Sequence, residues 1–161
     1  MKEAVSKAYS ILNQLNINTI PVDVENIANK LNCEIHRINP INLPDDFPCD
    51  KTNFAGAIIQ GDNGKHHILV NIYDPYERQR FTIAHELGHL LLDNTETIDC
   101  RESIFSNSEK ELRANEFAGS LLMPKEWLEE VIKIVDDNDK LANLFQVSRQ
   151  AIEIRRKNLG L

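Results

Sequence analysis

The chain has 161 residues, 42% of them hydrophobic and 27% charged, with a formal net charge of -7. That length fits a single domain over 1–161, and that composition excludes the disordered and fibrous classes. The acid excess excludes nucleic acid, or an anionic membrane, as a partner of the whole surface.

Ala4, Val5, Ala8, Ile11, Leu12 and Leu15 recur at helical spacing and predict an amphipathic helix over the first 16 residues. Asp23 is placed to cap a short helix over 24–31. Residues 34–38 alternate like a strand. Pro40, Pro44 and Pro48, set among Asn and Asp, predict an irregular surface loop over 39–53. Residues 55–60 and 66–71 are strand-like and flank Gly61-Asp62-Asn63-Gly64, which predicts a β-hairpin.

From there the pattern turns helical. Asp74-Pro75-Tyr76-Glu77 predicts an Asp-capped helix with Pro at its first position, running to about Asp93. A loop through Cys100 follows. The next helix is predicted to begin near 106–108 and to stop at Met123-Pro124. Pro124 starts a further helix carrying Trp127, Leu128, Val131, Ile132 and Val135, and two pieces over about 139–146 and 148–158 close the chain. Early strands and late helices make an α+β fold: a small, antiparallel-containing sheet packed on the central helix, with a mainly helical C-terminal half.

No apolar run approaches the roughly 18 residues of a membrane span, and Met1-Lys2-Glu3-Ala4 does not open a signal peptide. Cys33, Cys49 and Cys100 form no Cys-x-x-Cys pair and read as reduced, buried thiols. The predicted location is the cytoplasm, with no membrane partner.

The chemistry lies in His85-Glu86-Leu87-Gly88-His89. At about 100° per residue, His85 and His89 stand one turn apart on one face, where two imidazoles can close on one Zn²⁺. Glu86 sits a quarter-turn aside, placed to take a proton from an activated water and deliver it to a leaving amine. Phe81, Ile83, Ala84, Leu87 and Leu90 make this helix apolar nearly all round, so its polar residues need partners, and a metal supplies them.

A catalytic zinc takes a third protein ligand and keeps a fourth position open. His66 and His67 are adjacent on a strand and point to opposite faces, and nothing selects either of them or His36. On the next helix, Glu111, Ala114, Asn115, Ala118, Leu121 and Leu122 share one side, whereas Glu109, Arg113, Glu116 and Ser120 fall on the solvent side. Glu111 is thus the one acid on the buried stripe. Its competing role is a capping box with Ser108; the polar Asn115 one turn on favours the ligand role. Asn115 is placed to accept a hydrogen bond from the free ring nitrogen of a ligand histidine, or to bridge two helices. For the oxyanion, Tyr73, Tyr76, Arg78 and one of His66 or His67 are open candidates.

Arg80-Phe81-Thr82-Ile83-Ala84-His85-Glu86-Leu87-Gly88-His89-Leu90-Leu91-Leu92, then Glu111-Leu112-Arg113-Ala114-Asn115-Glu116-Phe117-Ala118, then Leu121-Leu122-Met123-Pro124 closely resemble the ImmA/IrrE metallopeptidase family. The resemblance is tight over 70–124 and looser over 20–161. It implies a Glu-zincin core, with one Zn²⁺ per chain held by His85, His89 and Glu111 and with Glu86 as general base. Asn115 stands where related Glu-zincins often carry Asp. The resemblance also implies a substrate: a helix-turn-helix repressor of a prophage, an integrative element or a stress regulon, which is cleaved or otherwise inactivated.

Residues 139–161 look like a helix-turn-helix fragment with Ser148 as a cap. Residues 147–161 carry a local charge of +3 against -10 for the rest of the chain. This supports an alternative: a non-catalytic zinc-containing regulator that binds its repressor partner or DNA through these helices. The acidic body and the few basic contacts favour packing or partner docking over nucleic acid.

Overall fold

The computed structural model describes residues 1–101 and 107–161. Its first half runs α1 (Lys2–Gln14), α2 (Val24–Lys30), β1 (Cys33–Ile38), β2 (Phe54–Gln60), β3 (His66–Asn71) and α3 (Tyr76–Asp93). Then come β4 (Thr97–Cys100), α4 (Glu109–Leu122), α5 (Lys125–Ile132), α6 (Asn138–Phe145) and α7 (Arg149–Leu159). The fold is α+β.

The strands form one mixed sheet in the order β1-β3-β2-β4, with β1 parallel to β3 and the other two pairs antiparallel. The β2–β3 hairpin closes through the Gly61 N–H, which donates to the Lys65 carbonyl at 2.7 Å. Gly64, at φ +75°, takes the left-handed position of this turn at no steric cost.

Ile58, Ile68 and Val70 of the sheet meet Ile83, Ala84 and Leu87 of α3 in the main core, which α1 and α4 complete. The α3–α4 crossing depends on Gly88, where an added Cβ would lie 3.1 Å from the Ala114 Cα and 3.2 Å from the Ala114 oxygen. Without a side chain there, two backbones approach closely and the His85–His89 face meets Glu111.

Asp23, Ser108 and Ser148 cap their helices as expected, accepting from the N–H groups of Asn26, Glu111 and Ala151. Ser106, in the predicted start of α4, lies outside the described residues. Asp74 does not cap α3: Pro75 holds the cap position, and the Asp74 carboxylate instead pairs with Arg101. α5 ends at Ile132, short of Val135, and Asp137 starts α6 by accepting from the Lys140 N–H.

Three expectations are corrected by long-range packing. The stretch ending at Cys100 is not all loop, because 97–100 pairs with β2 as an edge strand. Residues 39–53 do not lie wholly at the surface: Leu43 and Cys49 pack with Phe54 and Ala57 in a second small core. Cys49 and Cys100 are joined in a disulfide rather than reduced, while Cys33 is free and buried.

The outer side of α4 is also covered. Ser120 is buried, and Glu116 pairs at 3.0 Å with Arg155 of α7, itself buried. Leu141, Phe145, Val147 and Ile152 of the last two helices join the main core.

Candidate metal centre

α3 and α4 bring the ligand candidates together. His85 Nε2 and His89 Nε2 are 3.0 Å apart. Glu111 Oε2 lies 3.1 Å from the former and Glu111 Oε1 3.3 Å from the latter. Ser108 caps the helix by accepting from the Glu111 backbone N–H, but the Glu111 carboxylate does not complete a capping box: it turns to the two imidazoles. Asn115 Oδ1 lies 2.9 Å from His85 Nδ1.

A fourth group was not foreseen. Asp99 Oδ2, from β4, stands 3.3 Å from His85 Nε2 and 3.5 Å from His89 Nε2. The four ligand atoms of His85, His89, Asp99 and Glu111 all lie within 4.8 Å of one another, and all four residues are buried. The signal was present in Thr97-Ile98-Asp99-Cys100, whose alternation sends Thr97 and Asp99 to one face. Four residues are too few to separate that pattern from a loop.

Glu86 is fully buried beside this cluster. Its Oε2 accepts from the Thr97 hydroxyl at 2.6 Å, and its Oε1 has no hydrogen-bond partner among the described residues. Gly56 leaves the space for it. A Cβ there would clash with the Thr82 methyl and come within 2.9 Å of Glu86 Oε1.

Charge is crowded here. In the metal-free chain, burial pushes the His85 imidazole down, but the Asp99 and Glu111 carboxylates outweigh it and lift it to about 10. The same balance lifts His89 to about 9. Burial would raise the Asp99 and Glu111 carboxyls, yet their contacts with the two imidazoles hold both below the usual range. Glu86 goes the other way: burial first, and then the Asp99 charge, push it up.

This donor set fits a metal ion. An amide oxygen only accepts, so a neutral His85 carries its proton on Nδ1 and turns the Nε2 lone pair towards His89. Glu111 Oε2 is buried and, with a neutral His85, faces only the Nε2 lone pair 3.1 Å away. Lone pairs and carboxylates that converge without water are held only by protons or by a cation.

The other candidates lie elsewhere. His67 Nδ1 meets His36 Nε2 at 2.9 Å on the outer part of the sheet, beside Glu34. Tyr73 is largely exposed and its hydroxyl accepts from Asn39; Tyr76 is half-exposed with Arg80 over its ring. Arg78 lines a cleft of about 310 Å³ whose wall also includes Phe81, Thr82 and Asn115.

The family model of the IrrE N-terminal-like domain, Peptidase M78, matches residues 44–157. The chain belongs to this family. All of the clustered residues fall inside the matched range, and the family is one of metallopeptidases. Among individual relatives of this IrrE-like chain, the metallopeptidase ImmA of Bacillus subtilis (strain 168) is 26% identical over 112 residues. That match takes in 66% of this chain and 65% of ImmA, so it spans just under two thirds of the relative's length. A Mycobacterium tuberculosis transcriptional regulator shares the fold with a TM-score of 0.61 at 15% identity, over 94% of this chain and 45% of its own.

In this IrrE-like chain the basic side chains of α7 are largely engaged. Arg149 pairs with Asp139 and Glu153, Arg155 is buried against Glu116, and Arg156 pairs with Asp136. No helix among the described residues is long and apolar enough to cross a membrane.

Proposed function

We propose that this chain is a zinc-dependent endopeptidase of the cytoplasm that cleaves a helix-turn-helix repressor of a prophage, an integrative element or a stress regulon. One observation carries the reading: two imidazoles one helical turn apart converge with Glu111 while the buried Glu86 carboxylate stands beside them. His85, His89 and Glu111 would hold one zinc per chain, and Asn115 would fix the His85 tautomer. Zinc bound there would supply Lewis acidity towards a peptide carbonyl and an attacking water.

The remaining chemistry belongs to the chain. Glu86, oriented by the Thr97 hydroxyl, has one oxygen left to accept a proton from water. Its raised proton affinity suits both halves of the task, because the proton it accepts must then pass to the leaving amine. Burial of the whole cluster excludes bulk water and strengthens each of these interactions.

Arg155, buried against Glu116, is withheld from any phosphate, and the few basic side chains left on α7 weigh against the DNA-binding alternative. Glu86→Gln tests the enzymatic reading. It is expected to keep one zinc per chain and the fold, while cleavage of the repressor falls on the order of 10²–10⁴-fold. Cleavage that persists in this variant would remove Glu86 from its role. A repressor that stays intact yet leaves its DNA when the wild-type chain is added would replace cleavage by binding.

A further inference from the structure

We propose that Asp99 is a fourth protein ligand, which closes the metal site and keeps the resting chain latent until its carboxylate moves off the metal. This rests on the metallopeptidase reading and concerns how the same site is controlled. A catalytic zinc keeps one of its four positions for water and substrate, whereas a site with four protein ligands is closed. Asp99 occupies a place equivalent to that of Glu111: its Oδ2 lies 3.3 and 3.5 Å from the two Nε2 atoms, against 3.1 and 3.3 Å for the Glu111 oxygens. Its side chain is 5% exposed and that of Glu111 is 11% exposed, so neither carboxylate leaves an open approach to the imidazoles.

Two carboxylates in one buried pocket repel each other, and four donors gathered on a dication turn that repulsion into coordination. The element that supplies the second carboxylate is the sheet edge rather than a core helix. β4 has four residues, lies at the sheet edge, pairs with β2 across an irregularity between Phe54 and Gly56, and is tied at its Cys100 end to Cys49 by the disulfide. By contrast, His85, His89 and Glu111 sit on α3 and α4, whose contact at Gly88 belongs to the core. Thr97 on the same strand donates to Glu86, so one short strand holds both the fourth ligand position and the general base.

The test is cobalt substitution of the wild-type chain, Asp99→Asn and Asp99→Ala, with thermal unfolding as the control for folding. Loss of a ligand is expected to shift the visible d–d absorption of the bound Co²⁺ and to weaken zinc binding about tenfold or more in competition with a chromophoric chelator. Acetohydroxamate should leave the wild-type cobalt spectrum unchanged and perturb that of Asp99→Ala. Repressor cleavage by Asp99→Ala should exceed the wild-type rate by about tenfold. If cobalt binds but the spectra and affinities of the three chains coincide, and acetohydroxamate perturbs the wild type as strongly, Asp99 is not a ligand and only this proposal falls. If neither the wild type nor the variants take up cobalt or zinc, the metal reading falls and the latency proposal with it.

Discussion

The molecule holds two histidine pairs that look alike in a list of ligand-type residues and differ in physics. His85 and His89, with Asp99 and Glu111, are buried, whereas His36 and His67, with Glu34, lie half-exposed on neighbouring strands. In the outer pair one imidazole donates to the other at 2.9 Å, and Glu34 bonds Lys65 at 3.1 Å with water at hand. The polar atoms there are partnered or open to solvent at little cost. In the inner pair two Nε2 atoms stand 3.0 Å apart beside two buried carboxylates, an arrangement that needs protons or a cation to hold it. Burial, more than ligand identity, separates a candidate metal site from a surface hydrogen bond.

The sharpest way to break that contrast is to truncate two ligand-type side chains in each cluster, one at a time. His85→Ala is expected to lower zinc from about one per chain to near zero, and Glu111→Ala to reduce it strongly. His36→Ala and His67→Ala should leave the metal content of the gently purified protein as it was. Elemental analysis of the four variants decides it, and equal losses from both clusters would abolish the distinction.

Proton competition gives the next largest effect. In the metal-free chain the imidazoles stay protonated up to about 10 for His85 and about 9 for His89, so zinc must displace protons below those values. The sign follows: apparent affinity climbs as pH rises from 6 towards 9, by up to about tenfold per unit for each proton displaced, and flattens above about 10. Calorimetry at pH 7.5 in buffers of different ionisation enthalpy should register proton release on zinc uptake. A pH-independent affinity would contradict the charge balance described for the cluster.

A smaller effect tests the support behind the ligands. Asn115→Ala removes the acceptor 2.9 Å from His85 Nδ1 and should weaken zinc binding about 10–100-fold without unfolding the chain. An unchanged affinity would reduce Asn115 to a bridge between α3 and α4.

Much of the inner cluster was legible in the sequence because its spacing is set by local hydrogen bonding. Once 76–93 is a helix, the four-residue step from His85 to His89 fixes a shared face, whatever surrounds it. Glu111 could be chosen from among the acids of α4 because the apolar stripe around Ala114, Ala118 and Leu121 marks the side that must be buried. The companion inference, that Glu116 and Ser120 face solvent, failed for a related reason. Periodicity finds the more apolar side of a helix, and only packing reveals that α7 brings the buried Arg155 to the other.

By itself, then, the sequence determined the α+β class, the hairpin, the helix caps at Asp23, Ser108 and Ser148, and the His85–Glu86–His89 face with Glu111 as its partner. These follow from interactions within a few residues or from a helical period sustained over several turns. The tertiary structure alone decided the pairing of β4 with β2, the arrival of Asp99 at the imidazoles, the Thr97 bond to Glu86 and the joining of Cys49 to Cys100. A four-residue edge strand carries too little pattern to declare itself. Its register is set by a partner some forty residues away, and with it the side of the sheet on which its carboxylate falls.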